Sequence, residues 1–122
     1  MKTQQFRDLV VWPRAMELAK DIYGVARNFP RTEVFGLTSQ LCRSAVSIPS
    51  NIAEGHGRLS DKVFAVFLGQ TRGSLYELET QLELAHSLGY VEQNAYNRLV
   101  ANTAEIGRML NGLLSKLREA SR

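Results

Sequence analysis

The sequence predicts an all-α fold, an antiparallel up-down-up-down four-helix bundle, and three observations carry that prediction. Apolar residues recur at three- and four-residue steps in four successive stretches, the period of a helix seam. Proline and glycine fall between the stretches, at Pro30, Gly55, Gly57 and Gly89, so the connections are short and neighbouring helices must run antiparallel. No segment alternates with the period of two that marks a half-buried strand.

The first helix is expected over 13–29, after an irregular lead-in over 1–12 pinned by Phe6, Leu9 and Val11. Pro13 suits a helix start, where its missing N–H costs nothing. Trp12, Ala15, Leu18, Ala19, Ile22, Tyr23, Ala26 and Phe29 form the apolar stripe, and Pro30 stops it. The second helix is expected over 32–55, capped by Thr32. Its stripe is Val34, Leu37, Leu41, Ala45, Ile48 and Ile52. A second row of small apolar groups, Cys42, Val46, Pro49 and Ala53, lies beside the first. The two rows cover about half the circumference, wider than the ~100° needed to face one core. Helix 2 is therefore expected to touch both its own bundle and a neighbouring subunit.

Ser60 is expected to cap the third helix, 60–88, whose seam is Phe64, Phe67, Leu68, Thr71, Leu75, Leu78, Leu82 and Ala85. Gly69 and Gly73 sit inside it at about 1 kcal/mol each, a cost that predicts close approach of another backbone. The fourth helix, 92–119, carries the heptad-like seam Tyr96, Leu99, Thr103, Ile106, Leu110, Leu113 and Leu117. Leu41, Ile48, Phe67, Leu75, Leu82, Leu99, Ile106 and Leu110 are expected to be nearly inaccessible.

The chain has 122 residues, 44% of them hydrophobic, which is the size and composition of a single domain over 1–122. One cysteine, Cys42, excludes an internal disulfide and fits a reducing, cytoplasmic setting. The apolar run Leu9 to Trp12 is too short for a signal peptide or a membrane span. Net charge is +3, unevenly spread: residues 73–97 carry Glu77, Glu79, Glu83 and Glu92 and no basic residue. Such segregation can steer a charged partner or align copies of the chain.

The stretch Ser47 to Arg58 holds the most unusual chemistry. Pro49 lies inside a helix and should bend it. Gly55 and Gly57 can take positive φ and end it. Asn51 and Glu54 are expected to satisfy the carbonyl that Pro49 frees, with Arg43 joining their network. Gly55-His56-Gly57-Arg58 before a helix start could cradle an anion with Arg58 and Lys62, yet it lacks the strand and lysine of a nucleotide-binding loop.

The chain resembles the bacterial four-helix bundle proteins encoded in intervening sequences of 23S ribosomal RNA genes. The likeness runs through Leu9-x-Val11-Trp12-x-x-Ala15, Phe29-Pro30-x-x-Glu33-x-x-Gly36-Leu37-Thr38-x-Gln40-Leu41 and Ser47-Ile48-Pro49-x-Asn51-Ile52-Ala53-Glu54-Gly55. It continues through Gly73-Ser74-Leu75-x-Glu77-Leu78-Glu79-x-Gln81-Leu82 and Leu88-Gly89-Tyr90 to Arg108-Met109-Leu110. It implies a homopentameric barrel and a link to nucleic acid. A distantly similar bundle is the accessory protein of diversity-generating retroelements, which partners a reverse transcriptase and binds RNA or DNA. Where relatives often read Gln-Leu-Arg-Arg, this chain reads Gln40-Leu41-Cys42-Arg43, one arginine fewer for phosphates.

Other chemistry is sparse. Glu83-x-x-His86 is half of a di-iron motif, but His56 has no glutamate three residues before it, so a surface pair is expected and no metal or cofactor. Cys42 lacks the neighbours of a nucleophile and reads as a packed thiol. No acid/base constellation supports an enzyme. The favoured reading is a self-assembling scaffold that binds structured RNA, or an RNA-handling protein, through phosphates. Its candidates are Arg43, Arg58, Lys62 and Arg72 near one end, with Arg108, Lys116 and Arg118 on the last helix. Cys42, Val46, Ala53, Gly69 and Gly73 are the candidate subunit interface. The alternative is a protein-binding oligomer with no nucleic-acid contact.

Overall fold

A computed structural model describes residues 5–120. Its helices are α1 (Val11–Ala26), α2 (Leu37–His56), α3 (Asp61–Ser87) and α4 (Gln93–Ala120), with single 3-10 turns at Phe6–Asp8 and Arg31–Glu33. Among the described residues there is no strand. The predicted all-α bundle is thus observed, each helix packing on its chain neighbours and α1 also on α4. Cross-helix contacts fix the antiparallel sense. Arg14 pairs with Glu105 while Arg98 lies 3.7 Å from Asp21, so α1 and α4 run in opposite directions. Ser44 reaches Gln81 at 2.9 Å while Gly55 abuts Phe64 and Phe67, so α2 and α3 do too. One end of the bundle therefore carries the starts of α1 and α3 and the ends of α2 and α4.

Leu41, Ile48, Leu75, Leu82, Leu99, Ile106 and Leu110 are at most 1% exposed, as expected. Phe67 is the exception: it is half-buried, because it lies on the flank of α3 beneath Arg58, whose guanidinium carbon is 5.3 Å from its ring centre. Tyr23 and Val34 were also expected in the core and are about half exposed. Val34 falls outside α2, and Tyr23 turns toward a groove described below. Buried Thr71 and Thr103 satisfy their hydroxyls on carbonyls of their own helices, Phe67 and Val100.

Several boundaries differ from expectation. Helix α1 begins two residues before Pro13, because every N–H in a first turn lacks an intrahelical acceptor and proline is tolerated there. It ends at Ala26, three residues before Phe29. The expected start of helix 2 divides into a 3-10 turn and then α2, and Thr32 is not its cap. Glu33 is the capping residue: one carboxylate oxygen accepts from the Leu37 N–H at 3.1 Å, and the other accepts from the Tyr90 hydroxyl at 3.1 Å. A single carboxylate thereby ties the α1–α2 connection to the α3–α4 connection. The Phe29 and Tyr90 rings pack at 5.4 Å beside it.

The hydrogen bond to Glu33 is the leading reason that the Tyr90 hydroxyl titrates above its ordinary value of 10.0, with burial and the carboxylate's charge adding to it. A raised folded value means that the stabilisation is complete below pH 10 and fades as pH rises through the folded value. Tyr90→Phe is therefore expected to lower Tm at neutral pH. The gap between wild type and variant should narrow above pH 10, as measured by thermal melts at several pH values.

The turn between α2 and α3 also departs from expectation. Neither Gly55 nor Gly57 has positive φ; Leu59 does, at 60°, with 91% of its surface exposed. Gly55 is helical and buried. A Cβ there would lie 2.4 Å from the Phe67 Cβ, so glycine is needed for the close approach of α2 to α3. The backbone approach expected at Gly69 and Gly73 is not found within the chain: both are exposed, with nothing within 4 Å of an added Cβ.

Candidate functional site

Pro49 lies in the middle of α2 with no N–H to give the Ala45 carbonyl. Two neighbouring carbonyls gain side-chain donors: the Ser47 hydroxyl donates to the Ser44 carbonyl at 2.8 Å, and Asn51 Nδ2 donates to the Ser47 carbonyl at 2.9 Å. The polar network of this stretch thus forms around Ser44 and Ser47. Glu54 takes no part, pairing instead with Arg58 at 2.9 Å, and Arg43 donates to Ser39 at 3.2 Å. Pro49 lies inside α2 as expected, but Asn51 donates to the Ser47 carbonyl and not to the Ala45 carbonyl that Pro49 frees, and Glu54 and Arg43 find partners elsewhere.

The seven candidate cations do not form one cluster. Arg58 and Lys62 stand at the bundle end formed by the α2–α3 turn, and Lys116 and Arg118 reach the same end on the last turns of α4. Lys62 and Arg118 face one hollow of about 500 Å³ with Asp61, Ala65, Leu114 and Leu117. Lys116 lies on another flank, facing Leu9, Val11 and Met109. Glu54, Asp61 and Glu119 offset part of this positive charge. Arg72 and Arg108 lie midway along their helices, and Arg72 donates to Asn111 at 3.1 Å. Arg43 sits away from that end, in a polar cleft between α2 and α3 with Ser44, Glu77 and Gln81. The expectation that Arg43 and Arg72 join Arg58 and Lys62 at one end is therefore not met. Spacing along helices of opposite direction is the cause.

The candidate interface residues fall on two separate faces. Val46, Pro49 and Ala53 of α2 floor an apolar groove of about 530 Å³ whose other wall is Trp12, Met16 and Tyr23 of α1. Lys20 and Arg27 also line it. Cys42 is half-buried nearby on α2, and burial raises its thiol pKa above 9.0. Gly69 and Gly73 belong to the outer face of α3, opposite Leu68, Leu75 and Leu82. Val66 and Tyr76 flank them, 57% and 55% exposed, and Leu84 continues the row. Sequence reasoning found Gly69 and Gly73 but missed the apolar side chains beside them, Val66, Tyr76 and Leu84, and the α1 wall. The signal was present, since Val66, Gly69, Gly73, Tyr76, Thr80 and Leu84 repeat at three- and four-residue steps on the side away from the seam. Phe35, 96% exposed at the mouth of the polar cleft, carried no such signal.

His86 stacks on Tyr96 with ring centres 3.9 Å apart and bonds to Gln93 at 3.0 Å. Among the described residues no group of three or more His, Cys, Asp and Glu is placed to hold a metal ion. No described helix is long and apolar enough to cross a membrane.

These features define an antiparallel four-helix bundle with two outward apolar faces and a partly basic end. The chain belongs to the 23S rRNA-intervening sequence protein family, which it matches over residues 7–112. It is similar to a crystal structure of a protein of unknown function from the S23 ribosomal protein family of Bacteroides thetaiotaomicron. The two share 27% identity and a TM-score of 0.77, over 86% of this chain and 98% of that one. No curated protein matches the chain.

Proposed function

We propose that this chain is a non-enzymatic, self-assembling bundle that binds structured RNA through phosphate contacts. The observation that carries the RNA reading is that Lys62 and Arg118 face one hollow at a bundle end that also carries Arg58 and Lys116. Self-assembly rests on the outward apolar faces. Large contiguous apolar surface is rare on monomers and marks interaction sites. Gly69 and Gly73 cost about 1 kcal/mol each in a helix, and no contact inside the chain requires them. The resemblance to the family points to five copies, joined by head-to-tail contacts that close into a ring, and the single cysteine, Cys42, fits a reducing cytoplasm. A ring repeats the +3 of each chain around one particle.

Phosphate binding releases counterions, so affinity must fall steeply with salt. Fluorescence anisotropy with a structured RNA should show binding at about 50 mM salt that weakens severalfold or more by about 200 mM. Lys62→Glu and Arg118→Glu should weaken it, and Arg43→Glu, away from that end, should weaken it less. Absence of binding at low salt, or binding indifferent to salt and charge reversal, would favour the protein-binding oligomer without RNA.

A further inference from the structure

We infer that the polar cleft between α2 and α3 binds a guanine nucleotide, reading the edge of the base with Glu77 and Gln81. The cleft holds about 670 Å³ and lies away from the basic end, so the inference goes beyond the phosphate contacts proposed above and does not depend on them. Its floor is Ser44, 4% exposed, whose hydroxyl lies 2.9 Å from Gln81 Oε1 and 3.3 Å from Glu77 Oε1. A hydroxyl has one proton and donates to one of these oxygens at a time. Glu77 and Gln81 are four residues apart on α3, hence neighbours on its surface. Glu77 brings a carboxylate with lone pairs to spare, and Gln81, held through its oxygen, has its amide N–H groups left to donate. Among the described residues Glu77 pairs with no cation, and Arg43 in the same cleft pairs with no carboxylate and donates to Ser39 alone. Phe35 stands at the mouth, 96% exposed.

One base matches this order of groups. The pairing edge of guanine presents two adjacent donors, N1–H and the N2 amino group, followed by the O6 acceptor. The donors fit the two oxygens of the Glu77 carboxylate, and O6 fits the Gln81 amide. Adenine and cytosine each turn a ring-nitrogen acceptor toward a carboxylate so placed, and uracil sets its single N–H between two carbonyls, so each of the three brings lone pair against lone pair. Unstacked bases are read in this way, by hydrogen bonds to the pairing edge with an aromatic ring against the face. Phe35 supplies the ring. The phosphate is left for Arg43, whose guanidinium suits it. A free mononucleotide and an unpaired guanosine in an RNA strand carry the same chemistry.

The test is isothermal titration calorimetry of the full chain with GMP, AMP, CMP and UMP, and with guanosine. GMP should bind about tenfold more tightly than the other three nucleotides, the discrimination that a bidentate base contact gives. Glu77→Gln should bring GMP down to the level of the others. Glu77 is exposed and Ser44 keeps its bond to Gln81, so the fold survives, and circular dichroism checks it. Arg43→Gln should weaken GMP severalfold and leave guanosine unchanged, and Phe35→Ala should weaken every ligand. Displacement of GMP by an oligouridine strand carrying one guanosine assigns the cleft to RNA; a strand that fails to displace it assigns the cleft to the free nucleotide. Equal affinity for the four nucleotides, a guanine preference that survives in Glu77→Gln, or no heat from GMP up to millimolar concentration would overturn the inference. Lys62→Glu, at the basic end, should leave GMP binding unchanged, so failure of the salt-dependent RNA binding would be told apart from failure here.

Discussion

Leu75→Ala is expected to cost about 2–5 kcal/mol of folding stability. Leu75 is 1% exposed at the centre of the bundle, where its Cδ2 lies 3.6 Å from the position of a Cβ on Gly107 of α4. Truncation removes three buried carbons and leaves a hole that two helices cannot jointly close. A loss of that size is a large share of the ~5–15 kcal/mol that holds a typical domain together. Urea titration should show a lower midpoint with an unchanged slope. Phe35→Ala is the control: at 96% exposure its removal should move folding stability by no more than about 0.5 kcal/mol. Similar losses at both sites would mean that the seam of α3 is misplaced.

Gly55→Ala is the second large effect, and its sign runs against helix propensity. Alanine should gain about 1 kcal/mol over glycine inside a helix. At Gly55 the added methyl would stand 2.4 Å from the Phe67 Cβ and 2.9 Å from its Cγ. Those atoms lie close to the α3 backbone, so relief requires the helices to part. Overpacking of this kind costs about 1–3 kcal/mol, and the variant should be the less stable protein in the same titration. At Gly73, where an added Cβ meets nothing, the same change should stabilise the isolated chain by about 0.5–1 kcal/mol. Equal gains at both positions would contradict the close α2–α3 contact.

Gly55 also shows where sequence reasoning reaches its limit. A glycine near a helix end reads as a stop, because the sequence carries the residue's freedom of φ but not the distance to Phe67. The seams of all four helices were legible, since apolar period is local and the buried rows of α3 and α4 follow it from Leu68 to Leu110. The Glu33 carboxylate that joins Leu37 and Tyr90 was not, because its partners lie 4 and 57 residues away and nothing local ties them together. Likewise, the cations of the candidate interface could be identified but not grouped. Arg43 and Arg58 share α2 and its turn, yet about four helical turns of travel separate them. The groove between α1 and α2 was half legible. The second apolar row on α2 announced a partner, while Trp12 and Tyr23 had been assigned to the core.

The central claim is self-assembly, since the summed charge for RNA depends on it. Multi-angle light scattering on the eluting protein at micromolar concentration tests it most directly. The account predicts a single species of five times the 13.7 kDa chain mass. A species at 13.7 kDa, unchanged as concentration rises, would contradict it.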